Sequence, residues 1–292
     1  MRITQSMIVR DTLTQVQGNR LTMHQIQERI STQKKVQKAS DDPTGYSRIQ
    51  RYRTAADQNE QFLKNIFQSR NWIETTVSAL ENFHDFSNMA KGIAIQAADG
   101  AISPDMRAMF AQSLRSILEE SLAVANTRYL DKNVFAGTHT THPQPFTLEA
   151  GGVTYAGNDD PIQRKISAGN VITINTTGQQ IMDTNFFTEI NNLIAALENN
   201  DVSAIQNGID IMAGVVKEFE NLMTVAASSL SGLMMMETRL TQTNVDLTAY
   251  IADEENAILE EEIVKFKAQE IAYQAALQTA ADVMKINILR YL

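Results

Sequence analysis

The 292-residue chain contains no cysteine. That absence removes disulfides, thiolate metal sites and cysteine nucleophiles together. Glycine and proline are missing from residues 233–292, and the first 42 residues hold only Gly18. The residues that most often interrupt helices are thus scarce at both ends, which predicts a long, unbroken helix at each terminus. Aromatic residues make up 7% and hydrophobic residues 43%, a composition suited to elongated helices with much surface. Long apolar runs are lacking too. The uncharged stretches 221–236 and 166–182 fall short of the roughly 18 residues a membrane helix needs and are rich in Ser, Thr, Asn or Gly, so no membrane span is expected. Arg2 and Arg10 flank only a short run around Met7, Ile8 and Val9, which is not the pattern of a cleavable secretory signal.

The formal net charge is −9, the wrong sign for a nucleic-acid surface. Its distribution is uneven. Residues 1–53 carry ten Lys/Arg and four Asp/Glu, a local +6, whereas residues 237–292 carry five Lys/Arg and ten Asp/Glu, a local −5. Opposite ends of opposite charge point to pairing of the termini with each other or with complementary neighbours.

Apolar residues near the start recur at 4-3 spacing: Val9, Leu13, Val16, Met23 and Ile30, with Arg20 and Gln27 at the two remaining positions. This is a heptad-like seam. Asp42 then stands as an N-cap with Pro43 at the first helical position, so one helix ends before residue 40 and another begins at 43. The second helix is expected to reach about residue 91, with positions 49, 52, 56, 59, 63, 66, 70, 73, 77 and 80 on one stripe. Ser103-Pro104-Asp105 restarts a helix. Residues 133–182 hold six of the 13 glycines and three of the five prolines, and short β-type runs at 147–148, 153–155, 163–166 and 171–175 alternate with turn residues. Helical patterning resumes at Thr184. In the last helix the 4-3 positions from 252 to 284 include Leu259, Ile263, Phe266, Tyr273, Leu277 and Met284, broken by Asn256 and Glu270.

No catalytic constellation emerges. His24 and His84 are isolated, and His139 and His142 have no Cys, Asp or Glu cluster to complete a metal site. Gly152 and Gly157 have the spacing of a phosphate loop, but Asn158-Asp159 follow where Lys and Ser/Thr are required. The acidic pairs at 41–42 and 159–160 each precede proline and read as caps and turns. Glu260-Glu261-Glu262 lacks calcium-loop spacing, and no G-x-S-x-G elbow is present. An enzyme is not expected, and neither is a cofactor or a metal.

Several short motifs occur in a telling order. They are Met1-Arg2-Ile3-Thr4, Ala39-Ser40-Asp41-Asp42-Pro43, Arg128-Tyr129, Val134-Phe135-Ala136-Gly137, Ala272-Tyr273-Gln274-Ala275-Ala276-Leu277 and Ile288-Leu289-Arg290-Tyr291-Leu292. In this order the chain resembles the flagellin superfamily, and within it the hook-associated type of the hook–filament junction. Thr44-Gly45 after Asp-Asp-Pro leans toward flagellin itself, while the Met-Arg-Ile start and short middle region lean toward the junction type. The resemblance implies a structural protein of the bacterial flagellum, exported uncleaved through the flagellar type III apparatus and held beforehand by a cytosolic chaperone. It implies assembly outside the cell as a ring of copies between a neighbouring hook-associated protein and flagellin. Filament flagellin and a cytosolic coiled-coil adaptor stand as the alternatives.

The expected fold is mainly α: a long helical bundle or coiled coil formed by the N- and C-terminal helices, with a small β-rich insertion. The expected division is an axial helix at 1–42, a helical rod at 43–135, an outward β-rich domain at 136–183, the second part of the rod at 184–236 and an axial helix at 237–292. The expected pairing joins Val9, Leu13, Val16, Met23 and Ile30 to Leu259, Ile263, Phe266, Tyr273, Leu277 and Met284.

Overall fold

A computed structural model describes residues 5–288. The terminal motifs at 1–4 and 289–292 lie outside the described residues. In chain order the elements are helices α1 (Gln5–Thr32), α2 (Pro43–Ala97) and α3 (Pro104–Ala125), strands β1 (Arg128–Tyr129), β2 (Lys132–Asn133), β3 (Phe146–Glu149), β4 (Gly152–Tyr155), β5 (Gln163–Ser167) and β6 (Asn170–Thr173), and helices α4 (Gly178–Asp183), α5 (Phe186–Glu198), α6 (Val202–Glu255) and α7 (Leu259–Ile288). The fold is mainly helical with small antiparallel strand pairs. The chain divides into two units, one of Met1–Gln58 with Thr243–Leu292 and one of Asn59–Gln242. Helices α2 and α6 contribute residues to both.

The larger unit is built on apolar burial along α2. All ten positions of the 49–80 stripe are buried or half-buried; those from 59 onward belong to this unit, with Ile66, Ile73 and Leu80 nearly inaccessible. Phe83, one turn further on, is the hub of its core. It stacks on Phe219 at 5.2 Å between ring centroids and meets Phe135, Phe186 and Phe187 edge-on, the geometry aromatic rings favour. Gly92 does not end α2, because an interior glycine costs only about 1 kcal/mol and the helix runs on to Ala97. Ser103 caps α3 by accepting from Met106 N–H at 3.3 Å, with Pro104 at the first helical position. Arg107, 3% exposed, donates to the carbonyls of Ala97 and Asp99 and to Asn200 Oδ1. The guanidinium thereby satisfies the Ala97 carbonyl that the end of α2 leaves unpaired.

The β-rich segment consists of separate two-stranded hairpins: β1 with β2, β3 with β4, and β5 with β6, the last carrying a register shift between Lys165 and Ser167. Leu130 and Asp131, both at positive φ, form the β1–β2 turn. Gly137 has φ +61, and a Cβ there would lie 2.1 Å from the backbone oxygen of Asn158, so only glycine fits. Helix α4 lies within the span expected to be β-rich. It is short and begins with a capping box between Thr177 and Gln180, a signal that hydrophobic periodicity does not register.

The expectation of an unbroken C-terminal helix is corrected. Helix α6 passes through Gly232 and continues to Glu255. The chain then leaves the helix at residues 256–258 and re-enters at Leu259. Neither glycine nor proline makes this break. Its cause is tertiary and lies in the smaller unit.

Candidate functional site

In the smaller unit two chain interruptions meet. Helix α1 stops at Thr32, and Gln33 takes a left-handed conformation at φ 58, which turns the chain off the helix. Opposite it, Lys34 and Asn256 form an antiparallel bridge. The carbonyl of Glu255 accepts from the backbone N–H groups of Lys35 at 2.7 Å and Val36 at 3.4 Å, and Ala257 N–H donates to the carbonyl of Gln33 at 2.8 Å. A helix end leaves carbonyls without partners. Here each broken segment supplies the donors or acceptors the other lacks, so α6 can end without a glycine or proline. The return into helix is local: Asp42 Oδ1 accepts from Thr44 N–H at 3.0 Å, and Pro43 is the first residue of α2. A Cβ on Gly45 would strike Asp42 Oδ2 at 2.4 Å.

The opposed charges of the two ends converge at this crossover. Glu255, 7% exposed, pairs with Lys34 Nζ at 2.5 Å and Arg53 at 2.8 Å. Arg48 grips Glu254 in a two-point contact at 2.8 and 3.0 Å. Lys35 Nζ donates to the carbonyl of Asp253 at 2.7 Å. The hydrogen bond from Arg48 holds the Glu254 carboxyl below its ordinary range and raises the guanidinium of Arg48. Burial pushes Glu255 up, but Lys34 and Arg53 more than offset it, so this carboxyl too sits low. Burial likewise acts upward on Asp41 and is outweighed by the N–H groups of Gln37 and Lys38, which donate to its Oδ2 at 3.1 and 3.2 Å. Tyr52 and Tyr250 tilt together at 5.6 Å.

Beyond the crossover α1 and α7 lie along one another. Gln33–Ala257 at one level and Asn19–Gln269 at another give an antiparallel course. Burial reveals which rows face inward. On α1 they are Val9, Thr12, Val16, Asn19, Met23, Ile26 and Ile30; on α7 they are Leu259, Glu262, Phe266, Gln269, Tyr273, Ala276, Ala280 and Val283. The antiparallel course carries Ile30, Met23 and Val16 about level with Leu259, Phe266 and Tyr273. Val9, Val16, Met23 and Ile30 are half-buried, as are Leu259, Phe266 and Tyr273.

Leu13, Ile263, Leu277 and Met284 are 41%, 45%, 43% and 39% exposed. The structure places them one residue off the shielded rows, whose members at these levels are Thr12, Glu262, Ala276 and Val283. Sequence periodicity missed this row because Thr12, Asn19, Glu262 and Gln269 are polar. The charge asymmetry and the Asp42-Pro43 break were the sequence signals for the crossover, and they did not locate Arg48, Arg53, Glu254 or Glu255. Apolar side chains outside the shielded rows stay open on each helix: Met7, Ile8, Leu13 and Leu21 on α1, and Ile263, Val264, Ile271, Leu277 and Met284 on α7 are all exposed.

Among the described residues no group of three or more His, Asp or Glu side chains is placed to hold a metal, and no helix is long and apolar enough to cross a membrane. The arrangement is a helical pairing surface.

Known proteins resemble this chain in sequence and in fold. The bacterial flagellin N-terminal helical region matches residues 3–140. Flagellar hook-associated protein 3 of Salmonella typhimurium is 24% identical, the match covering 99% of this chain and 99% of that protein. The Escherichia coli protein of the same name is also 24% identical, again over 99% of both chains. Among solved structures, flagellar hook-associated protein 3 from Legionella pneumophila aligns with TM-score 0.64 at 11% identity, covering 70% of this chain and 98% of that one. FlgL from Bacillus cereus aligns with TM-score 0.58 at 20% identity, covering 68% and 96%. Residues 3–140 thus resemble the bacterial flagellin N-terminal helical region, and the chain shares the fold of these solved flagellar hook-associated structures.

Proposed function

We propose that this chain is the structural subunit of the flagellar hook–filament junction. It leaves the cell through the flagellar type III apparatus and packs with copies of itself as a ring between a hook-associated neighbour and flagellin. A cytosolic export chaperone covers its C-terminal helix beforehand. It is not an enzyme. The observation that carries the reading is the half-finished state of the terminal pair. Helices α1 and α7 shield one row of each other and leave further apolar side chains of each open to water. An exposed surface of that kind marks an interaction site and is an aggregation hazard in a free subunit, which is what a polymer contact and a chaperone would resolve. The full-length match to hook-associated relatives supports the same position in the organelle.

The test is the double substitution Ile263→Asp with Leu277→Asp. Both side chains are exposed in the single chain, so the subunit should keep its helical circular dichroism. In the assembled state each carboxylate would be buried without a partner, at a cost of several kcal/mol. The expected result is a folded, secreted protein that fails to enter the appendage, with loss of motility. A motile junction built from the double variant would overturn the proposal. Abundance in sheared appendages tests filament flagellin as the alternative: a junction subunit is scarce, a filament subunit dominant.

A further inference from the structure

The larger unit contains a cleft of about 440 Å³, within the size range of small-molecule sites. Its apolar walls come from Trp72, Tyr129, Ile162 and Ile174, and its charged groups are Lys132 and Arg164; no lining residue is acidic. Several cations elsewhere are matched: Lys34, Arg48, Arg53, Arg70 and Arg115 each meet a carboxylate. Among the described residues Lys132 and Arg164 meet none. A further group in the same wall lacks a partner. Trp72 is 6% exposed, packs edge-on against Tyr129 at 6.1 Å, and has its indole Nε1–H buried without an acceptor.

Two unmatched cations beside an apolar wall define one chemistry. We propose that the cleft binds a small organic acid, its carboxylate held by Arg164 and Lys132 and its apolar body against Trp72, Tyr129 and Ile174. The carboxylate answers the charge, and the apolar body separates this ligand from a simple inorganic anion.

Trp72 is the only tryptophan in the chain, so its emission reports on the cleft directly. The full chain is titrated with phenylacetate, with its uncharged isostere phenylacetamide, and with inorganic phosphate, using excitation beyond tyrosine absorption. The same titrations are run on Arg164→Gln and Lys132→Gln, both at exposed positions, after circular dichroism has verified that their helix content is unchanged. The expected result is a saturable emission change with phenylacetate and binding about tenfold weaker for phenylacetamide and for phosphate. Arg164→Gln should weaken phenylacetate by about tenfold, the loss of one charge-assisted contact, and Lys132→Gln should weaken it in the same direction. No saturable change with phenylacetate would overturn the proposal. So would phenylacetamide or phosphate binding as tightly as phenylacetate, or full affinity in Arg164→Gln.

Discussion

The side-chain amide of Gln269 donates to Asn19 at two points, 3.3 Å to its backbone carbonyl and 3.2 Å to its Oδ1. The two residues are 250 positions apart, and their contact sits in the shielded row of a helix pair that is otherwise mostly apolar. A polar rung of this kind favours one register over its neighbours, because any slip leaves both amides partly buried and unpaired. The single change Gln269→Leu strands Asn19 and should cost roughly 1 kcal/mol of terminal-unit stability. Adding Asn19→Leu to it removes both polar partners and should restore the loss. Thermal unfolding of the three proteins, followed by helical circular dichroism, checks the sign of each step; equal losses in single and double variants would count against the rung.

The crossover should be acid-sensitive. Glu254 and Glu255 have folded-state carboxyl pKa values below the ordinary 4.5. A depressed carboxyl contributes stability that is fully present above its unfolded value and is lost as pH falls through the folded one. The smaller unit should therefore hold its stability at neutral pH and lose it progressively below about pH 4.5. Replacing Glu255 by Gln removes contacts to Lys34 and Arg53, both of which are partly exposed, and should cost about 2 kcal/mol at neutral pH. It should also flatten the acid limb of the stability profile. Parallel acid limbs in the variant and the parent would show that this carboxylate is not the sensor.

Protease should find the terminal pair first. Among the described side chains of α1 and α7, only Ile26, Glu262 and Ala280 are buried, against the extensive core cluster of the larger unit. Helices with so little burial open at low free-energy cost. Limited proteolysis of dilute protein should remove α1 and α7 and stall near the crossover, leaving a fragment that runs from about Pro43 to Glu255. Mass spectrometry of the resistant fragment reads the outcome. Simultaneous loss of both units would mean they unfold as one.

Much of the architecture is legible in the residues because hydrophobic spacing and punctuation agree with it. The stripe from Ile49 to Leu80 lies on the shielded side of α2, Ser103-Pro104 starts α3, and the runs around Val153, Ile166 and Val171 fall in β4, β5 and β6. The terminal pair is only half legible. Its apolar rows, with Val16, Met23, Phe266 and Tyr273, are visible as periodicity. The rows containing Thr12, Asn19, Glu262 and Gln269 are not, because polar residues in a partly open seam carry no hydrophobic signal. The eye passes instead to Leu13, Ile263 and Leu277, whose apolar character answers a different surface. The break after Glu255 is illegible for another reason. It arises from hydrogen bonds to Gln33, Lys35 and Val36, more than 200 positions away, and local propensity records nothing of that.

The account rests on the ends of the chain pairing lengthwise and antiparallel, in the register set by Asn19 and Gln269. The natural absence of cysteine makes that directly measurable. Two variants, Asn19→Cys with Gln269→Cys and Leu13→Cys with Leu277→Cys, are treated with a short bis-maleimide at high dilution, and internal cross-links are read by mass spectrometry. The account predicts rapid internal linkage of the 19/269 pair and little internal linkage of the 13/277 pair. Preferential internal linkage of 13 to 277, or failure of 19 to reach 269 within one chain, would contradict it.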